Sequence, residues 1–134
     1  MNVTGPLGAA LFGIAIAQGV FFVIVGSKEF MSDVVIRQDG SEIIFSRSIH
    51  PPQTIADYTV ILVPKGDDAP ICEGHGWAEY TPDESKTKRM SIDLFVGDHG
   101  CEKRLAPGVY VGRAYWVPRD RRHAKAAEFL FDVK

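Results

Sequence analysis

The sequence predicts a mainly β protein, an antiparallel sandwich of about seven strands preceded by one transmembrane α-helix. Three observations carry that reading. The stretch "GPLGAALFGIAIAQGVFFVIVG", Gly5 to Gly26, holds 22 residues without a charge. Beyond Asp33 the apolar residues fall into short runs separated by turn signals, many of them alternating with polar residues. No second helix-length pattern follows. The chain has 134 residues, 46% hydrophobic and 24% charged, which suits one folded domain and excludes general disorder. Its net charge of −2 gives no global attraction to nucleic acid, and none is expected as a partner.

The helix comes first. At about 1.5 Å per residue, a helix of this length crosses a bilayer core of roughly 30 Å. A buried core helix would normally show a polar face, and here Gln18 is the only strongly polar side chain. Ala15-Ile16-Ala17 resembles a signal-peptide cleavage site, but no Lys or Arg precedes it and the apolar run continues through Val25. Residues 1–27 are therefore read as a retained anchor in the lipid bilayer. Ala9, Gly13 and Ala17, spaced by four, form a stripe of small residues suited to close helix packing. Membrane helices also show such residues by composition alone.

Residues 28–33 read as a short linker that holds the following domain, 34–134, at the membrane surface. In that domain "VVIRQ" and "EIIFSRSI" flank Asp39-Gly40, a hairpin turn signal. "DYTVILVP", Asp57 to Pro64, is nearly all apolar and suits a central strand. "EGHGWAEY" and "KRMSIDLFVGD" read as the two arms of a hairpin with its tip at "TPDESK". Met90, Ile92, Leu94 and Val96 supply the buried face of the second arm at a period of two. "GVYVGRAYWV" and "AEFLFDV" complete the set, the latter with Ala127, Phe129, Phe131 and Val133 on one face. His50-Pro51-Pro52 is a stiff connector, and Tyr58, Trp77, Tyr115 and Trp116 are read as packing residues.

"LAPGVYVGRAYW", Leu105 to Trp116, resembles the penultimate strand of immunoglobulin-like and fibronectin type III-like domains, and "FLFDV" resembles their closing strand. The resemblance covers roughly residues 34–134. It implies an immunoglobulin-like sandwich in which Tyr110 is a corner tyrosine bonded to backbone upstream. It implies architecture and no activity. The two cysteines are not spaced like the pair that links the sheets of antibody domains, and no tryptophan lies on the third strand.

"ICEGHGW" and "GDHGC" each place a histidine within three residues of one of the two cysteines. Folding the expected hairpin about Glu84 sets residues whose numbers sum to about 168 opposite one another. Cys72 then faces Val96, Cys101 lies one turn beyond, and His75 and His99 gather at the same end. Three readings stay open: a Cys72–Cys101 disulfide, a metal site of Cys72, His75, His99 and Cys101, or two free thiols. The spacing departs from the usual zinc patterns, and a two-cysteine domain behind a membrane helix suits a disulfide on the extracytoplasmic side. Lys28, Arg37 and Arg47 follow the helix while no basic residue precedes it, which points the domain the other way. The disulfide argument is given more weight.

"PRDRRHAK" gathers Arg119, Arg121, Arg122 and Lys125 on the loop before the last strand, with only Asp120 between them. Such a tip suits an acidic partner surface or lipid headgroups. The "GDD" and "PDES" loops form an acidic counterpart. There is no phosphate-binding glycine loop, no Ser/His/Asp grouping and no paired carboxylates, so neither an enzyme nor a bound cofactor is expected. The expected role is a structural or accessory subunit of a membrane-associated assembly, either a cell-envelope complex or the membrane layer of a virion. Its partners would be other protein subunits. The alternative is a metal- or ligand-binding module built on the Cys/His cluster.

Overall fold

A computed structural model describes residues 28–134. The expected helix, with Ala9, Gly13 and Ala17, lies outside the described residues. Among the described residues no helix is long and apolar enough to cross a membrane.

Among the described residues, seven strands form two antiparallel sheets. In chain order they are β1 (Met31–Asp39), β2 (Glu42–Ile49), β3 (Thr54–Pro64), β4 (Cys72–Tyr80), β5 (Thr87–Ser91), β6 (Gly108–Pro118) and β7 (Lys125–Val133), with two short helices, α1 (Ile92–Val96) and α2 (Cys101–Arg104), between β5 and β6. One sheet runs β1-β2-β5 and the other β4-β3-β6-β7. This arrangement is compatible with a β-sandwich. The Asp39-Gly40 signal is a true hairpin turn: Asp39 pairs with Glu42, and Gly40 sits at φ 64°, where glycine avoids the Cβ clash.

The alternating residues fill the space between the sheets. Ile43 and Phe45 enter from one side, and Ala56, Val60, Leu62, Ala114, Trp116, Phe129 and Phe131 from the other. Phe45 stacks on Trp116 with ring centroids 5.4 Å apart and meets Phe95 edge-on at 5.5 Å; Phe95 meets Phe129 at 5.5 Å. This aromatic column ties the two sheets together. A Cβ on Gly112 would lie 2.1 Å from the Phe129 ring, so glycine is needed on β6 for that ring to seat. The Tyr110 hydroxyl donates to the Ala106 carbonyl at 2.6 Å, the contact the resemblance implied.

Three expectations are corrected. The residues read as a linker belong to the domain: β1 begins at Met31, and Phe30 and Met31 are fully buried. The expected β4–β5 hairpin does not form. β4 pairs with β3, and β5 pairs with β2 in the opposite sheet. The run Ile92–Val96 is helical rather than extended. Ser91 caps it by accepting from the Leu94 amide, Gly97 ends it at φ 79°, and Ile92, Phe95 and Val96 are its buried residues. That spacing of three and four is a helix face.

β1 also lies along β7. The His123 amide donates to the Lys28 carbonyl at 2.9 Å, and Glu29 and His123 form a parallel bridge. At the far end the Gln38 side-chain amide donates to the Asp132 carbonyl at 2.7 Å and accepts from the Asp132 amide at 2.8 Å. Gln38 thus stands in for a backbone partner, and the edge of β7 is covered.

Candidate docking site

The two segments of the Cys/His question do meet. Cys72 begins β4 and Cys101 begins α2, and they form a disulfide with Cα atoms 5.5 Å apart. α1 and the turn after it return the chain from β5 to the edge of β4, so the cysteines meet without a hairpin. A Cβ on Gly74 would lie 1.8 Å from the Val96 carbonyl oxygen, so glycine is required where that return touches β4. Both sulfurs are spent in one bond. His75 instead contacts Glu73 at 3.2 Å and Thr59 at 3.3 Å. Among the described residues no group of three or more His, Cys, Asp or Glu side chains is placed to hold a metal ion.

Carboxylates organise this end. Asp93 accepts from the amides of Gly100 at 3.0 Å and Glu102 at 2.7 Å, which orders the start of α2. Asp98 pairs with Arg104 and accepts from the Glu73 amide at 3.0 Å. The Arg104 guanidinium, and after it the Glu73 amide, hold the Asp98 carboxyl below the ordinary carboxylate range. Such a group contributes stability above about pH 4 that disappears as pH falls through its lowered folded-state value. Asp98→Asn is accordingly expected to flatten the acid limb of a stability-versus-pH curve while leaving the shape near neutrality unchanged. Replacing both Cys72 and Cys101 with alanine should cost about 3.6 kcal/mol on the loop-entropy scale, given the sequence separation of 29. Urea unfolding read by tryptophan fluorescence measures it.

The basic tip is less free than its sequence implies. Arg119 forks onto Asp57 through Nε at 3.2 Å and Nη2 at 2.8 Å, and lies over the Trp77 ring at 5.9 Å. Arg122 donates to the carbonyls of His50 at 2.9 Å, Pro51 at 3.2 Å and Pro52 at 2.6 Å, and to Asp120 at 2.8 Å. Its side chain is only 10% exposed. It is a strut for the β2–β3 connection, formed across about 70 residues of sequence. Arg121 is exposed and Lys125 half-buried, and neither has a partner among the described residues. Arg122→Ala is expected to cost about 2 kcal/mol, since charged donors leave three carbonyls at once. Arg121→Ser should stay within about 0.5 kcal/mol. Paired denaturation curves give both values.

The surface that sequence reading missed is the outer face of the four-stranded sheet. Trp77 is 63% exposed and Tyr115 51% exposed, with Val117 exposed beside them and Leu130 farther along the same face, opposite Val111. Trp77, Asp57 and Val117 share one row of the ladder, and His75, Thr59, Tyr115 and Ala126 the next. A shallow groove runs between Thr59, Ile61, Arg113, Tyr115, Ala126 and Glu128. The available signal was parity: Tyr115 lies between Ala114 and Trp116, which are buried, so its own ring must point outward. Exposed aromatic and aliphatic side chains grouped within a polar rim mark interaction surfaces.

Comparison with protein-family models, with curated proteins and with solved structures returns no match.

Proposed function

We propose that this chain is a membrane-anchored structural or accessory subunit of a larger assembly, a cell-envelope complex or the membrane layer of a virion, in which an immunoglobulin-like domain docks onto other protein subunits. The observation that carries the reading is the exposed outer face around Trp77, Tyr115 and Val117. Aromatic residues on a rigid sheet supply contact area at low entropic cost and are common binding anchors. The charge-free run from Gly5 to Gly26 supports the anchor. The Cys72–Cys101 bond supports an extracytoplasmic location.

The immunoglobulin-like assignment rests on strand order and on Tyr110. In constant-type immunoglobulin domains the fourth strand completes the sheet of the first, second and fifth. Here β4 lies beside β3, an order that resembles the fibronectin type III arrangement. The Tyr110–Ala106 bond sits at the start of the sixth strand, where the corner tyrosine of this fold belongs.

The test uses the full chain in its native membrane. Tyr115→Ser with Val117→Ser is expected to shrink the complex extracted in mild detergent, while the Cys72–Cys101 bond and alkaline-resistant membrane association persist. An unchanged complex would reject the outer face as the docking surface. Release of the parent chain by alkaline carbonate would reject the anchor.

A further inference from the structure

The sheet edges of this domain are not treated alike. β7 is covered by β1 through Lys28, Glu29 and Gln38. β5 is only five residues long and carries Lys88, and short, lysine-bearing edges resist pairing. Part of β4 is covered too, where the Glu73 amide points off the edge onto Asp98. By the two-residue period of a strand, the amides and carbonyls of His75, Trp77 and Glu79 point the same way. They find no backbone partner among the described residues. This stretch carries no lysine and no proline, and its register with β3 is uninterrupted.

Behind it the two sheets stand apart. The inward positions of β4 are Gly76 and Ala78, which project almost no side chain. A cleft of about 170 Å³ opens there, lined by Phe45, Tyr58, Ala78, Met90 and Leu94 together with the charged residues Arg47, Glu79, Glu84 and Lys88. A volume of about 150 Å³ accepts a benzene ring, so this cleft has room for a single large side chain, whose apolar body would meet Phe45, Ala78, Met90 and Leu94. Leu94 on α1, 70% exposed, and Trp77, 63% exposed, flank the edge on its two sides, and they are the most exposed large hydrophobic residues among those described.

We infer that β4 from His75 to Glu79 receives an extended segment of a partner protein as an added strand, with one apolar side chain of that segment seated in the cleft between the sheets. Strand addition of this kind draws affinity from main-chain hydrogen bonds and specificity from pockets for alternate side chains. A second copy of this chain fits less well. Its β4 would present Gly76 and Ala78 to the cleft and leave it empty. The inference extends the docking role proposed above to a surface separate from the outer face.

The test uses the purified full chain in detergent and a defined probe, acetyl-Lys-Thr-Val-Thr-Leu-Thr-Val-Thr-Lys-amide, beside a version with serine for the central leucine. The leucine probe is expected to slow hydrogen exchange at the amides of His75, Trp77 and Glu79, and to bind at least about tenfold more tightly than the serine probe. Glu79→Pro removes one outward donor without touching the β3 ladder, and Ala78→Leu fills the cleft from within. Each should weaken the leucine probe by at least about tenfold, with the Cys72–Cys101 bond intact. Ala78→Leu keeps the test open if Glu79→Pro folds poorly. No added protection at those three amides, equal binding of both probes, or protection at another edge would overturn the inference. So would protection of the same amides without probe in a sedimenting dimer, which would assign the edge to a second copy. Failure here, with the Tyr115 and Val117 variant still losing its complex, rejects the edge alone. Failure of both rejects the docking role.

Discussion

Truncating Phe45 to alanine is expected to lower the unfolding free energy by about 4 kcal/mol, the middle of the range for buried aromatic residues. Phe45 is almost wholly buried in β2 and touches each layer of the core. Its ring stacks on Trp116 from the opposite sheet, meets Phe95 of α1, and carries the Arg47 guanidinium at 5.1 Å. Removing it strips one face from Trp116 and opens a void between sheets that the backbone ladders hold apart. Phe45→Leu should recover roughly half of the loss, because most of the buried area returns while the ring contacts do not. Guanidinium unfolding with matched slopes measures both. A loss below about 1 kcal/mol would mean that the sheets collapse onto the gap and that the column is not what joins them.

The second large effect is expected from Glu84→Ala, also about 4 kcal/mol, because it strands a buried charge. Arg47 is among the few buried polar residues. It pairs with Glu84, and its Nη1 donates to the Ser85 carbonyl at 2.5 Å, while its Nε is buried without an acceptor. The guanidinium is therefore held almost entirely by the β4–β5 connection. Glu84→Gln should cost less, since the amide oxygen still accepts. Replacing Arg47 with methionine in the Glu84→Ala background should restore most of the stability, because the desolvated charge goes with it. An additive double variant would show that the pair is not coupled. At the alkaline end, burial raises the Tyr80 hydroxyl to about 12. That contribution is complete below about pH 10 and is lost as the pH rises toward the folded value.

The strand sequence was legible where a strand buries one face, because a period of two survives there. β6 and β7 show it plainly, and Asp39-Gly40 marks the first turn. The segment Ile92–Val96 was misread because five residues satisfy both periods: Ile92, Leu94 and Val96 alternate, while Ile92, Phe95 and Val96 form a helix face. Ser91, Asp93 and Gly97 were the deciding cues, a cap, a first-turn carboxylate and a left-handed stop, and all three stand in the sequence. The pairing of β4 was not legible. Whether a strand follows its sequence neighbour or crosses to the other sheet depends on α1 bringing Val96 back against Gly74. The cysteines were read together for a partly mistaken reason: both a hairpin and a sandwich closed by α1 bring 72 near 101. The intramolecular contacts of the basic tip were not legible, because Asp57 and the carbonyls of His50, Pro51 and Pro52 are distant in the chain and no local pattern announces them.

The lie of β1 beside β7 also sets how the domain bears load. The two run in the same direction, with Lys28 beside His123 at one end and Gln38 beside Asp132 at the other. A pull on Lys28 against a pull on Lys134 therefore draws β1 and β7 past each other along their length. The contacts at the two ends, and the β1–β2 ladder with them, meet that tension together rather than opening one after another like a zipper. Resistance of this kind is governed by the rate of unfolding rather than by its equilibrium free energy. Gln38→Ala, a surface change of small equilibrium cost, should shorten the lifetime of the domain under steady force far more than it lowers its resistance to urea.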